Sequence, residues 1–457
     1  MGTLLLRRAQ ALATFDDDGR ELRDADVFIR DGVIVSVGPA TDEPCAADDV
    51  VDCSALVLTP GLVNTHHHFF QTLTRAVPGT QDAGLFDWLT RLYPIWARLG
   101  PEAVRTATTT AIAELVRSGC TTAADHGYIW PNGARLDDQI EAARAFGFRF
   151  HAARGSMSVG RSRGGLPPDA IVEDEAAILA DTQRVIETYH DPARFALTRI
   201  VVAPCSPFSV SEDLMRESIA LARSAGVHAH THLAETLDEE QFCRERYGCR
   251  PVELAERLGW TGPDVWHAHL VHPSPAECVR LGAAATGVAH CPTSNMRLGS
   301  GIAPLAALAA AGARVGLGVD GSASNDGSNL LDEARHALLV QRIRPAVGAA
   351  EAATWFSARD VLRFATRGGA SVLGRDDIGI IAPGMAADIA GWRTDALELA
   401  GGAVHDPLAA LVFCRPVHTD LTVIAGRILV RNGSFTTFDC AAHVREHNRI
   451  ASALVSA

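Results

Sequence analysis

The chain of 457 residues predicts an α/β architecture: a (β/α)8 TIM-type barrel with a small discontinuous β-sandwich domain built from both termini. Two observations predict it. Short apolar runs alternate with segments of helical spacing through the middle of the chain, the pattern of parallel βαβ units. Both ends instead carry short alternating runs broken by turn signals.

Taken in order, residues 1–58 read as the N-terminal part of the sandwich, where ADVFIRDGVIVSVG alternates around an Asp31-Gly32 turn. Eight strand-like runs follow near 57–66, 120–126, 148–154, 198–206, 227–233, 265–271, 286–291 and 314–320, within a barrel unit spanning 59–376. Between them lie helical patterns such as AVRTATTTAIAELVRSG. Eight such units suggest closure into a barrel, where reactive groups gather at the C-terminal strand ends. A doubly wound open sheet is the rival, weakened because no G-x-G-x-x-G follows the early strands. GRSRGGLPP (160–168) reads as a mobile loop over the barrel mouth. Residues 377–457 return to β texture, with an Asn432-Gly433 turn, and end in a helix.

Composition excludes several chemistries. The net charge of −13 argues against nucleic acid or an anionic membrane as partner. All 41 basic residues are arginine, so Schiff-base chemistry, a Walker A loop and a carbamylated lysine bridging two metals are ruled out. Ten scattered cysteines without a C-x-x-C pair fit a reducing compartment rather than a zinc knot. The N-terminal MGTLLLRRAQ places its apolar triplet before its arginines, the reverse of a secretory signal, and no apolar stretch is long enough to span a bilayer. A cytoplasmic protein is the expectation.

Two histidine clusters carry the chemistry. NTHHHFFQ ends the first strand-like run, and residues two apart on a strand share a face, so His66 and His68 can grip one metal while His67 points away. HAHTHLAET ends the fifth, offering His228, His230 and His232 on one face, with Glu235 three residues beyond. Parity cannot choose among the three; depth favours His232, nearest the mouth. Strand six brings His267 and His269, and strand eight closes at Asp320, a carboxylate that needs a partner if buried. Asp326 in the same loop reads as a solvent-facing turn residue. Three histidines and one carboxylate make a mononuclear site with an open position for water. Glu235 is then placed as general base and acid.

PGLVNTHHH, HTHLAET, AHL and GVDGSASND stand in the order and spacing of the amidohydrolase superfamily, and DDIGIIAPGMAADIAGW resembles that family's return into its small β domain. The chain resembles the branch without a bridging lysine, which holds aminohydrolases of purines, pterins and related rings, and triazine hydrolases. The resemblance implies one divalent metal ion, zinc before iron or manganese, held by His66, His68, His232 and Asp320. It implies that Glu235 shuttles a proton to a ring nitrogen, that His269 orients the attacking water while Asp320 assists proton movement, and that Gln71 touches the substrate ring. It also implies a symmetric homo-oligomer.

Within the branch, NTHHHFFQTLTRAVPG, APCSPFSV and HCPTSNMRLGSGI are most similar to the 8-oxoguanine deaminases. The implied partner is a small oxidised aminopurine, and the implied reaction is hydrolytic deamination of 8-oxoguanine to urate and ammonia. Alternatives are an isoxanthopterin or guanine deaminase, a triazine-type hydrolase and, remotely, a non-catalytic purine binder. Guanine deaminases of this branch carry arginine in a P-R-F segment after strand four; here Pro204-Cys205-Ser206 stands in its place. Guanine N7 is an acceptor; in 8-oxoguanine it bears a proton, which a thiol or hydroxyl can accept and a guanidinium cannot. Cys205 is therefore expected near the five-membered ring. His126, Asn295 and Arg297 are further candidates for substrate contact, and Trp88, Tyr93 and Trp96 for the pocket wall.

Overall fold

The computed structural model describes residues 2–42, 45–343 and 355–456. Eight parallel strands close into a barrel: β1 (Leu62–Asn64), β2 (Cys120–Gly127), β3 (Arg149–Ser156), β4 (Thr198–Pro204), β5 (His228–Leu233), β6 (Val265–His269), β7 (Gly287–His290) and β8 (Arg314–Leu317). Each strand pairs with its sequence neighbours, and β8 returns to β1 through Leu317 opposite Asn64. Helices connect the strands, so all eight carboxyl ends face one way.

Two further sheets form the small domain. One has four strands, ordered Val33–Pro39, Ala25–Arg30, Thr3–Ala9 and Asp49–Asp52. The other has seven and draws on both termini: Leu56–Pro60 pairs antiparallel with Ile389–Arg393 and parallel with Ala11–Ala13. Leu6, Val27 and Ile29 of the first sheet share one buried core with Leu58, Ile389 and Val423 of the second. Asp31 and Gly32 both have positive φ (50° and 82°), the mirror-image turn whose twist matches the flanking strands.

The first apolar run is two strands rather than one. Its head belongs to the small domain and ends at Pro60; its tail enters the barrel at Leu62. Pro60 has no N–H to continue a ladder. Gly61 lies so close to Thr121 that a Cβ would sit 2.1 Å from its hydroxyl oxygen. The chain thus changes sheets at a proline–glycine step.

The last helix, Cys440–Ser456, lies against the barrel's helices. His447 faces the Thr72 hydroxyl at 3.3 Å, and Arg98 donates to the Leu454 carbonyl at 3.1 Å. Ile450 and Leu454 join the apolar cluster of Trp88, Leu89 and Tyr93. Among the described residues no helix is long and apolar enough to cross a membrane.

Candidate active site

The carboxyl ends of β1, β5, β6 and β8 converge on one buried point. His68 Nε2 lies 3.2 Å from Asp320 Oδ1 and 3.1 Å from His232 Nε2, and His66 Nε2 lies 3.3 Å from the same Asp320 oxygen. Donors about 3 Å apart are close enough to share one ion at ligand bonds of about 2.0–2.2 Å. The far nitrogens are already committed: His68 Nδ1 donates to the His126 carbonyl and His232 Nδ1 to the Cys205 carbonyl, each at 2.7 Å. That leaves each Nε2 with its lone pair facing inward, the arrangement of metal-ligating histidines. His66 Nε2 is buried and has no hydrogen-bond partner among the described residues. The donor set therefore fits a divalent cation.

Electrostatics reinforce the fit. Burial holds His232 neutral, lowering its pKa to about 3, with His68 and His269 adding to the effect. Asp320 is buried too, which alone would raise it; the His66 and His68 imidazoles hold it well below the usual carboxylate range. Burial opposes a charge on His68, but the hydrogen bond and charge of Asp320 raise its pKa above the usual imidazole value, so imidazole nitrogens gather around an ionised carboxylate, the donor set a cation requires.

Glu235 stands beside this point, its Oε2 3.5 Å from His269 Nε2. Burial, then the nearby Asp320 charge, push its pKa up to about 8, suited to proton exchange near neutrality. Its backbone is clamped: the Glu239 carboxylate accepts from the Ala234 and Glu235 N–H groups at 2.8 and 2.7 Å. Glu239, four residues after Glu235 in HLAETLDEE, escaped the sequence reading although it sits in the same motif.

Several residues at this end occupy left-handed backbone: Ala234 (φ 53°), His269 (74°), Leu270 (45°) and Asp320 (62°). Such strain in non-glycine residues clusters at functional sites. At His269 it has a visible consequence. His267 faces outward, bonding the Trp260 carbonyl at 3.0 Å, and plain alternation would send His269 after it. Instead His269 reaches the mouth, where its Nδ1 donates to Asn295 Oδ1 at 2.9 Å and its Nε2 lies 4.0 Å from Asp320 Oδ2.

A narrow cavity opens over these groups. Gln71, Trp88, Tyr93, Tyr128, Cys205 and Phe208 contribute to its walls, together with Ser206 and Leu298. Gln71 is held between the Ala323 N–H (3.4 Å) and the Tyr128 hydroxyl (3.5 Å). The 160–168 segment packs onto this wall, Leu166 N–H donating to the Phe208 carbonyl at 3.1 Å. Trp96 lies behind it, bonding Thr74.

Three expected substrate contacts are placed elsewhere. His126 lies one layer below the mouth, its Nε2 2.8 Å from the Ala203 carbonyl and its ring stacked on His232. Asn295, outside the cavity lining, accepts from His269 at Oδ1, while its Nδ2 is buried without a hydrogen-bond partner among the described residues. Arg297, in the last turn of its short helix, reaches Asp326 (3.2 Å) and the Gln81 carbonyl, outside the cavity lining. Tyr128, Phe208 and Leu298 went unremarked in the sequence because isolated aromatic or aliphatic residues in loops carry no periodic signal.

The amidohydrolase family model matches residues 57–429, which include β1 through β8 and every group at this site. The chain belongs to the amidohydrolase family. It is 47% identical over 450 residues to the 8-oxoguanine deaminase of Pseudomonas aeruginosa, covering 97% of this chain and 98% of that one. It is 39% identical to the hydroxydechloroatrazine ethylaminohydrolase of Pseudomonas sp. strain ADP, covering 96% and 93% respectively. Among solved structures, the atrazine chlorohydrolase of Arthrobacter aurescens TC1 complexed with zinc superposes with a TM-score of 0.92 at 35% identity, covering 99% of this chain and 100% of that one. The protein is a metal-dependent aminohydrolase of this family, acting as a deaminase or related hydrolase.

Proposed function

We propose that this amidohydrolase removes the exocyclic amine of 8-oxoguanine, giving urate and ammonia, with one divalent ion, zinc for preference, held by His66, His68, His232 and Asp320. The observation that supports the substrate reading is the wall at Cys205-Ser206: among the described residues no arginine lines the cavity. The 47% identity to a deaminase of 8-oxoguanine supports it.

When bound, the ion would make water a nucleophile at neutral pH. The side chains do the rest. Glu235, protonated or not within a unit of neutrality, takes a proton from the attacking water and delivers it to the ring nitrogen beside the amine-bearing carbon. His269, locked by Asn295 as the Nδ1–H tautomer, presents Nε2 as an acceptor and orients that water. Asp320 assists the second proton to the departing ammonia. Gln71 and Tyr128 face the ring, and the thiol of Cys205 accepts from the N7–H. Burial pushes that thiol's pKa up to about 12, so it stays a neutral partner rather than a nucleophile.

The test is turnover of zinc-loaded protein on 8-oxoguanine, guanine and isoxanthopterin at matched concentration, read as ammonia and ultraviolet change. Rapid conversion of 8-oxoguanine to urate with slow guanine is expected. Turnover of another ring alone would overturn the substrate and leave the deaminase standing. Release of an alkylamine or chloride from a triazine, with none of the three deaminated, would move the protein to the triazine hydrolases.

A further inference from the structure

We propose that His230, which nothing above has used, is a positioning residue: it fixes the tautomer of His66 and so leaves His66 Nε2 free to bind the metal ion. The inference rests on the metal site proposed above, but not on the substrate.

The three histidines of that site are not supported alike. His68 and His232 each donate from Nδ1 to a backbone carbonyl. A carbonyl can only accept, so those two tautomers follow from the main chain. His66 has no such carbonyl. Its Nδ1 lies 2.8 Å from His230 Nε2, and an imidazole nitrogen can donate or accept.

The ambiguity is resolved one step further down. His230 Nδ1 lies 3.0 Å from the Trp266 carbonyl oxygen, which can only accept. His230 therefore carries its proton on Nδ1. Both rings are fully buried, where an imidazolium without a carboxylate partner would be costly, so each carries one ring proton. A neutral ring with Nδ1–H has an acceptor at Nε2, so His66 must donate from its own Nδ1. The chain Trp266 carbonyl, His230, His66 thus ends with a lone pair on His66 Nε2. That is the nitrogen left without a hydrogen-bond partner, 3.3 Å from Asp320.

The same geometry separates His230 from the ligands, a choice that strand parity leaves open. His230 Nε2 meets His66 on the side of the ring opposite the other donors, and its Nδ1 is engaged by the main chain. The group His66, His126 and His230 could be drawn around a second ion, but two of its nitrogens face each other at 2.8 Å in a hydrogen bond. The His230 ring is also stacked on Trp266, centroids 4.5 Å apart at 14°, so packing is its competing role.

Two variants of the full chain separate the roles. His230→Phe keeps a flat ring on Trp266 and removes the acceptor. His230→Gln removes the ring and returns an acceptor oxygen near the place of Nε2. Zinc affinity, measured by competition with a chromophoric chelator, is expected to fall about 10- to 100-fold in H230F and to stay within about threefold of the parent in H230Q. The visible spectrum of the cobalt-substituted protein should change in H230F and not in H230Q. Unchanged zinc affinity in H230F would overturn the proposal, as would a loss in H230Q equal to that in H230F. Failure of the parent chain to bind zinc or cobalt would overturn the metal reading with it, whereas inactivity on 8-oxoguanine leaves this result untouched.

Discussion

The two ends of the barrel hold buried polar clusters of opposite character. At the floor, Arg149 makes a paired contact with Asp388 (2.8 and 3.1 Å) and donates to the Phe195 and Ala196 carbonyls at 2.8 and 2.9 Å. Arg375 pairs with Asp377 (2.7 and 2.8 Å), which also accepts from the Phe195 N–H at 2.6 Å. These charges have matched partners, and the Arg149–Asp388 pair ties the barrel to the small domain, where Asp388 also accepts from the Ala425 N–H at 2.7 Å. At the mouth, imidazoles crowd around one carboxylate, the His66 Nε2 has no hydrogen-bond partner among the described residues and the backbone is strained. The difference teaches how to tell structure from function in a buried cluster. A satisfied cluster holds parts together; a convergent, unsatisfied one awaits a ligand.

The sharpest way to break the comparison is to exchange the expected effects of its two ends. Glu235→Gln keeps size and removes the proton carrier, so kcat should fall about 10²- to 10⁴-fold while thermal unfolding stays near that of the parent. Near-normal turnover would remove Glu235 from the chemistry. Asp388→Ala should do the reverse. It strands the Arg149 guanidinium and should cost about 3–5 kcal/mol in denaturant unfolding, with kcat per folded molecule largely kept. A variant as stable as the parent would show the floor pair to be dispensable.

A smaller effect sharpens the reading of the mouth. Cys205→Arg restores the cation expected to suit guanine, and the ratio of kcat/KM for guanine over 8-oxoguanine should rise about tenfold. An unchanged ratio would remove Cys205 from substrate selection.

The smallest effect is one of pH. The Glu235 pKa is raised from 4.5 to about 8 by burial and by Asp320, so the folded state holds a proton there that the unfolded state has lost. Its stabilisation is complete below about pH 4.5 and disappears as pH rises through about 8. Metal-free Glu235→Gln should therefore melt close to the parent near pH 4.5 and a few degrees above it by pH 8. Scanning fluorimetry with a chelator present checks this, and a gap that shrinks with rising pH contradicts the sign.

Much of the site could be read before the fold was seen because its signals are local. His66 and His68 share a face by simple alternation, Glu235 follows His232 by three residues, and Asp320 closes an apolar run. The eight barrel strands fall on the eight apolar runs for the same reason, save where Pro60-Gly61 divides the first. Other assignments depend on residues distant in sequence. The contact of Asn295 Oδ1 with His269 and that of Arg297 with Asp326 join residues 26 and 29 positions apart, which no local pattern reveals.

The sequence by itself determined the fold class, the family and the strand ends that supply imidazoles and carboxylates, since period, motif order and composition are properties of short segments. Depth along strand five already favoured His232 in the sequence, and the tertiary structure added what His230 does beside it, its Nε2 on His66 and its Nδ1 on the Trp266 carbonyl. Alternation makes His230 and His232 equivalent; depth and the Trp266 carbonyl beside one of them tell them apart. It also decided that His269 turns into the mouth, because a positive φ is imposed by the packing around a residue and has no signature in its neighbours.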